Sequence, residues 1–317
     1  MRNNQRPATQ VARQKTLKTE ISCVGTGLHS GSKTRMTLRP AEAGTGIVFR
    51  RTDIAGSGAI PANWANVVDT RLCSRLANAE GASVATVEHL MSALAGLQVD
   101  NCTIEIDGPE VPILDGSAVP FVEGFITAGT VGQDAAVRAI RILQTVEVRD
   151  GDAVARLEPA ETMEIAFEID FDVPAIGQQG KRMSLANGAF VRELSDSRTF
   201  CRQSDVDAMR ANGLALGGTY ENAVVFDGDV VLSPGGLRHR DEPVRHKMLD
   251  AVGDLFLAGA PILGRYTGIR AGHSLTNRLL RALFARPDAW TLVDVGAQTG
   301  CKLPGIGVHE ADLPLRA

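Results

Sequence analysis

Two stretches of this chain repeat one order of elements, and that repetition limits the folds open to it. Residues 87–97, 101–106 and 117–128 read as helix, strand, helix, and residues 244–258, 262–270 and 274–285 read the same way. The helices carry apolar residues at helical spacing: Val87, Leu90, Met91 and Leu94 in one, Val244, Met248, Ala251, Val252, Leu255 and Phe256 in the other. Short alternating segments with glycine-rich turns precede each run, at residues 21–24, 35–38 and 46–49, then at 139–149, 153–157 and 164–171. The pattern predicts an α+β fold of two similar domains, each a mainly antiparallel sheet covered on one face by a helix pair. Residues 16–134 are the expected first domain and 135–290 the second, divided in the small, polar stretch around 129–133. Residues 1–15 are expected as a disordered tail and 291–317 as a C-terminal tail.

The helix over 244–258 carries more than a packing stripe. Asp241 can cap its first turn, Pro243 is tolerated there and Gly259 can end it. Opposite the stripe, His246 and Asp250 stand one turn apart with Asp254 one turn further on. An imidazole and a carboxylate at that spacing can grip one metal ion. The plain alternative is a solvated face, although His, Asp, Gly and Asp are unusual where Lys, Glu and Gln would serve. Zinc needs a third protein ligand. The matching helix, capped by Thr86, holds His89 directly away from its own stripe. If the two helices face each other, His89, His246 and Asp250 surround one ion and leave a fourth position for water. Taken alone His89 reads as a surface or cleft histidine; its symmetric placement favours the ligand.

Three neighbours carry paired readings. Glu88 is either a carboxylate on the helix dipole or a general base for the attacking water. His273 is either a capping-region histidine or, if Asp254 contacts it, an imidazolium facing developing negative charge. Thr199 by itself is an ordinary turn threonine.

Composition removes several classes. With 317 residues, 44% of them hydrophobic, the chain suits a two-domain globular protein. A net charge of -4 and only 4% aromatic residues argue against a nucleic-acid partner. The five cysteines contain no CxxC pair and read as free thiols of a reducing cytosol. The longest apolar stretch, 251–269, is broken by Asp254 and Arg265, so no stable membrane insertion is expected. Arg2, Arg6, Arg13, Lys15 and Lys18 precede any acid but lack the apolar core of a signal peptide, so a cytoplasmic location is expected.

The motifs Thr86-Val87-Glu88-His89-Leu90, Asp115-Gly116-Ser117-Ala118-Val119-Pro120-Phe121, Arg198-Thr199-Phe200, Arg245-His246-Lys247-Met248-Leu249-Asp250 and Gly272-His273 occur together and in order. With them, over residues 15 to 286, the chain closely resembles the zinc-dependent UDP-3-O-acyl-N-acetylglucosamine deacetylases of lipid A synthesis. The resemblance implies two similar domains, each with its own insert, packed helices inward around the active site. It implies zinc, with Fe2+ as the other ion such ligands accept, on His89, His246 and Asp250. It implies Glu88 as general base, His273 as the group that stabilises the oxyanion and protonates the leaving amine, Asp254 as its partner and Thr199 as an oxyanion donor. Lys247 and Phe200 match substrate contacts and Phe171 a nucleotide-contacting aromatic. Arg270, standing where many relatives carry Lys, joins Lys247 in offsetting the diphosphate. The implied partner is the UDP-linked, acylated N-acetylglucosamine, bound by a monomer, with an apolar passage near residues 214–216 for the acyl chain. Arg71 departs from the family pattern near the mouth. A zinc hydrolase acting on another N-acyl sugar or a peptide, and a catalytically silent sugar-nucleotide binder, are the rival readings.

Overall fold

The computed structural model describes residues 11–314. Its helices are α1 (Glu88–Leu97), α2 (Val119–Ala128), α3 (Ala189–Glu193), α4 (Gln203–Ala211), α5 (Glu242–Phe256), α6 (His273–Phe284) and the single turn α7 (Ala297–Gly300). The expected repetition is present in the sheets as well as the helices. In the first half the strand order is Ile21–Thr26, Lys33–Pro40, Cys102–Ile106, Ile47–Arg51, Ala59–Pro61. In the second half Val146–Asp150, Ala153–Glu158, Ile262–Ile269, Met163–Asp170 and Gln178–Ser184 follow the same order.

The correspondence extends to strand direction. The central strand of each set runs antiparallel to one neighbour and parallel to the other: Cys102–Ile106 pairs Met36 with Ile106 and Phe49 with Ile104, and Ile262–Ile269 pairs Leu157 with Tyr266 and Ile165 with Tyr266. Each central strand lies between the same two helices in sequence, α1 and α2 or α5 and α6. The fold is α+β, and α1 packs against α5 so that the helix layers of the two halves meet.

Period-two burial shows why these segments are strands. Cys102, Ile104 and Ile106 are buried while Thr103 and Glu105 are less so; Ile165, Phe167 and Ile169 alternate in the same way. One continuous core runs from Met36, Phe49 and Ile104 through Leu90, Leu94, Met248 and Val252 to Phe167, Tyr266 and Leu279. Between the halves of the first repeat a small sheet of Val67–Asp69, Arg75–Ala77 and Ser83–Val84 is inserted. The second repeat holds α4 with Phe200–Arg202, Val224–Asp227 and Val230–Val231.

Several local expectations differ from the structure. Thr86 does not cap α1: its backbone has φ 57°, and its hydroxyl is given to Glu110 Oε1 at 2.7 Å. Asp241 stands at the N-cap of α5 without a capping bond, because its carboxylate accepts Arg245 Nε at 2.6 Å instead. Helix α5 closes at Phe256, before Gly259. The expected tails are also partly structured. Arg13–Leu17 pairs antiparallel with Thr130–Ala136, so residues 13–15 belong to a strand; residues 1–10 of that tail lie outside the described residues. Trp290–Asp294 pairs with Arg138–Ile142, so the chain past 290 begins as a sheet strand. Trp290 also stacks edge-on against Phe284, an aromatic anchor that its isolated position in the sequence did not advertise. Among the described residues no helix is long and apolar enough to cross a membrane. All five cysteines are free.

Candidate metal centre and active site

The crossing of α1 and α5 sets the site. Gly253 faces α1, and a Cβ there would overlap the Glu88 carbonyl oxygen, so the helices approach more closely than any side chain allows. At that distance His89 from α1 and His246 and Asp250 from α5 converge, all three buried. Asp250 Oδ1 lies 3.5 Å from His89 Nε2 and 3.3 Å from His246 Nε2. The three candidate ligand atoms lie within 4.8 Å of one another. His246 Nδ1–H donates to the Ser197 carbonyl at 3.0 Å, which turns Nε2 toward the cluster.

A cation fits this donor set. Asp250 Oδ1 is buried and accepts no hydrogen bond, an expensive state for a carboxylate oxygen without a positive partner. Asp250 Oδ2 accepts Lys247 Nζ at 2.8 Å. Burial opposes ionisation of Asp250, but His246 and Lys247 overcome it and hold its carboxyl well below the usual range. Burial lowers His246 to about 4, which leaves its imidazole neutral and able to ligate at neutral pH. Two neutral-capable nitrogens and one carboxylate oxygen suit a divalent ion of the zinc or ferrous type.

Beside this cluster stands a second group of polar side chains. His273 Nδ1–H donates to Asp254 Oδ2 at 2.8 Å, and His273 Nε2 faces Glu88 Oε1 across 3.8 Å. Burial pulls the His273 imidazole down, yet the Asp254 and Glu88 carboxylates prevail and raise it to about 9. Burial raises the Glu88 carboxyl above the ordinary glutamate range, against the pull of His273. An imidazolium and a carboxylate of raised basicity thus stand within reach of one another, next to the candidate metal ligands.

The cluster opens into a cavity of about 740 Å³, lined by Thr199, Phe200, His246, Lys247, Asp250 and His273. Its lining also includes the apolar Leu28, Ile176, Val206, Met209 and Val225, with Arg202, Asp205 and Arg210. Thr199 is pinned by its backbone: its N–H donates to the Gly116 carbonyl at 2.8 Å and its carbonyl accepts Val224 N–H at 2.7 Å. Phe171 and Phe200 meet edge to face, 5.4 Å between ring centres, on the cavity wall. Lys247 reaches the cavity but is held by Asp250. Arg270 is not brought into this cavity. It is ion-paired with Asp170 in a separate cleft that also holds Asp152 and Glu168. Arg71 is exposed and folded onto Asp69. Of the apolar passage expected near 214–216, Ala215 lines the cavity, while Leu216 is exposed and rests against Gly31.

Two features escaped the sequence reading. Arg198 and Glu242 form a buried pair, Nε to Oε1 at 2.9 Å, and Glu242 also takes the Arg198 backbone N–H at 3.0 Å. This fixes the turn that presents Ser197 and Thr199. Ser74, buried in the first insert, touches both Glu88 and Asp254. Nothing local marks either feature, since the partners lie 44 and 180 residues apart.

Residues 14–285 match the family described as LpxC: UDP-3-O-acyl N-acetylglycosamine deacetylase. A UDP-3-O-acyl-N-acetylglucosamine deacetylase of Phenylobacterium zucineum is 54% identical over 278 residues, covering 87% of this chain and 95% of that protein. Proteins of the same name from Pasteurella multocida and Shewanella loihica are 48% and 49% identical over 283 and 282 residues, covering 89% and 88% of this chain and 93% and 92% of their own. With a family match across nearly its whole length and relatives this similar, the chain belongs to the UDP-3-O-acyl N-acetylglycosamine deacetylase family.

Proposed function

We propose that this chain hydrolyses the acetamide of UDP-3-O-acyl-N-acetylglucosamine to acetate and the free amine, the deacetylation step of lipid A biosynthesis, with zinc on His89, His246 and Asp250. The observation that carries this reading is the convergence of those three ligands beside the facing Glu88 and His273, at a cavity lined by both polar and apolar side chains. Fe2+ suits the same ligands.

When bound, the metal supplies Lewis-acid polarisation of the amide carbonyl and acidifies a water. Glu88, raised by burial, takes a proton from the attacking water as the new C–O bond forms. Thr199 and the His273 imidazolium face the oxygen on which negative charge develops. His273 then gives its proton to the amine nitrogen as the C–N bond breaks, and Asp254 holds the ring through Nδ1. Phe171 and Phe200 offer an aromatic surface to the nucleotide or sugar, and the apolar side chains of the lining accept the acyl chain. Lys247, which lines the cavity and donates to Asp250 Oδ2, would meet a substrate oxygen there. Arg270, partnered by Asp170, would have to leave that pair to reach the diphosphate. A single chain supplies every one of these residues, which supports a monomer as the active unit.

Acetate release from the UDP-linked substrate, measured with and without chelator, tests the reading. Release abolished by chelator and restored by zinc is expected. Release from a simple N-acetylated sugar or peptide with no competition by UDP would overturn it.

A further inference from the structure

Ser74 belongs to none of the motifs that carry the family likeness, yet it touches both Glu88 and Asp254, the residue that holds the His273 ring. It sits where the first insert turns into Arg75–Ala77 and is 1% exposed. Its hydroxyl donates to Asp254 Oδ1 at 2.6 Å, while its backbone N–H donates to Glu88 Oε2 at 3.0 Å. Its carbonyl accepts Val87 N–H at 3.3 Å, which ties the same turn to the start of α1. Asp254 Oδ2 holds His273 Nδ1, and His273 Nε2 faces Glu88 Oε1. The four residues therefore form a ring, closed everywhere by hydrogen bonds except at the 3.8 Å gap between His273 and Glu88.

We propose that Ser74 is a positioning residue for the deacetylation: its hydroxyl fixes the Asp254 carboxylate and, through it, the orientation of the His273 ring toward the leaving nitrogen. The proposal rests on the acid role assigned to His273 above. The terminal torsion of an aspartate is broad and nearly two-fold, so a carboxylate held at one oxygen can swing and carry its imidazole along. A second donor on Oδ1 removes that freedom. A shift of about 1 Å in a proton donor costs on the order of 10²-fold in rate, so a hydroxyl two bonds removed from the chemistry has a large lever. The backbone N–H to Glu88 gives the same residue a hold on the base, and it survives any side-chain change at position 74.

The test compares Ser74→Ala and Ser74→Thr in the native background and in His273→Ala, all metal-loaded. Ser74→Ala keeps the backbone bond to Glu88 and deletes only the bond to Asp254. The expected result is a kcat lower by about 10- to 100-fold, the size typical of outer-sphere partners, with KM nearly unchanged and metal content intact. Ser74→Thr, which keeps the hydroxyl, should recover most of the loss. In His273→Ala, Ser74→Ala should cost nothing further. The His273 Nδ1 proton resonance of metal-free, 15N-histidine-labelled protein should shift in Ser74→Ala and return in Ser74→Thr. An unchanged kcat in Ser74→Ala, or an equal loss that persists in His273→Ala, overturns the proposal. If His273→Ala alone retains full kcat, the acid assignment fails instead, and the two failures are told apart.

Discussion

Gly253 on α5 lies directly against the backbone of Glu88 on α1, with no room between them for a Cβ. The proposed ligands His89, His246 and Asp250 stand on these same two helices. The obstruction is backbone, which cannot rotate away as a side chain would. Gly253→Ala should therefore force the helices apart, costing about 1–3 kcal/mol as overpacked cores do. The same displacement should weaken metal binding although no ligand is changed. Urea unfolding and metal stoichiometry check both; an alanine variant of native stability and full metal content would contradict this view of the crossing.

Glu88→Gln isolates the base. Glutamine can still accept the Ser74 N–H with its carbonyl oxygen and is nearly the same size, so the fold and the ligands stay in place. It cannot take a proton. Turnover should fall by about 10²- to 10⁴-fold while metal content stays native. Activity within a few-fold of the native enzyme would remove Glu88 from the mechanism.

How much of this was readable in the chain follows from the range of each interaction. His246 and Asp250 sit one helical turn apart, so periodicity alone placed them together, and the repeated helix–strand–helix order brought His89 opposite. The duplicated helix–strand–helix order was legible because such units are local, whereas the matching sheet order rests on pairings between distant strands. Thr86 misled because a hydroxyl before a helix usually caps it, whereas here the buried Glu110 accepts it and the Thr86 backbone is at positive φ. Trp290–Asp294 was missed as a strand because its partner is Arg138–Ile142, far away in sequence. Arg270 was placed near the substrate on its charge and its match to the family pattern, and the acid that captures it, Asp170, is brought close only by strand pairing. Ser74 and the Arg198–Glu242 pair had no sequence signal for that same reason.

Asp250→Asn tests the metal centre with little change of shape. The native carboxylate offers an unpartnered Oδ1 to the ion and neutralises Lys247 through Oδ2. The amide keeps one acceptor but loses the charge. Metal affinity, followed by chelator competition, should fall by more than the roughly 10- to 100-fold seen when an outer-sphere partner is lost. In the native protein, zinc at about 100 times its dissociation constant should stabilise the fold by about 2.7 kcal/mol, because the ligands converge only when the two helices are packed. That increment should shrink sharply in Asp250→Asn. An equal thermal shift in both proteins would place the ion elsewhere.

The His273 imidazole supplies the pH dependence. Burial alone would lower it, but Asp254 and Glu88 hold it at about 9 in the fold, against 6.5 for an ordinary histidine. Between those values the native state keeps a proton that the unfolded chain gives up, so stability falls as pH rises through that window. The contribution is complete below 6.5 and gone above about 9, and the gap corresponds to about 3 kcal/mol. Urea unfolding of metal-free protein at the two ends should show that loss, and His273→Gln should flatten it. Under the proposed mechanism the same proton is the one delivered to the leaving amine, so kcat/KM should decline as pH passes about 9. Asp254→Asn removes the carboxylate that does most to raise the ring and should move the decline to lower pH. A limb that stays in place in Asp254→Asn would mean that the alkaline titration belongs to another group.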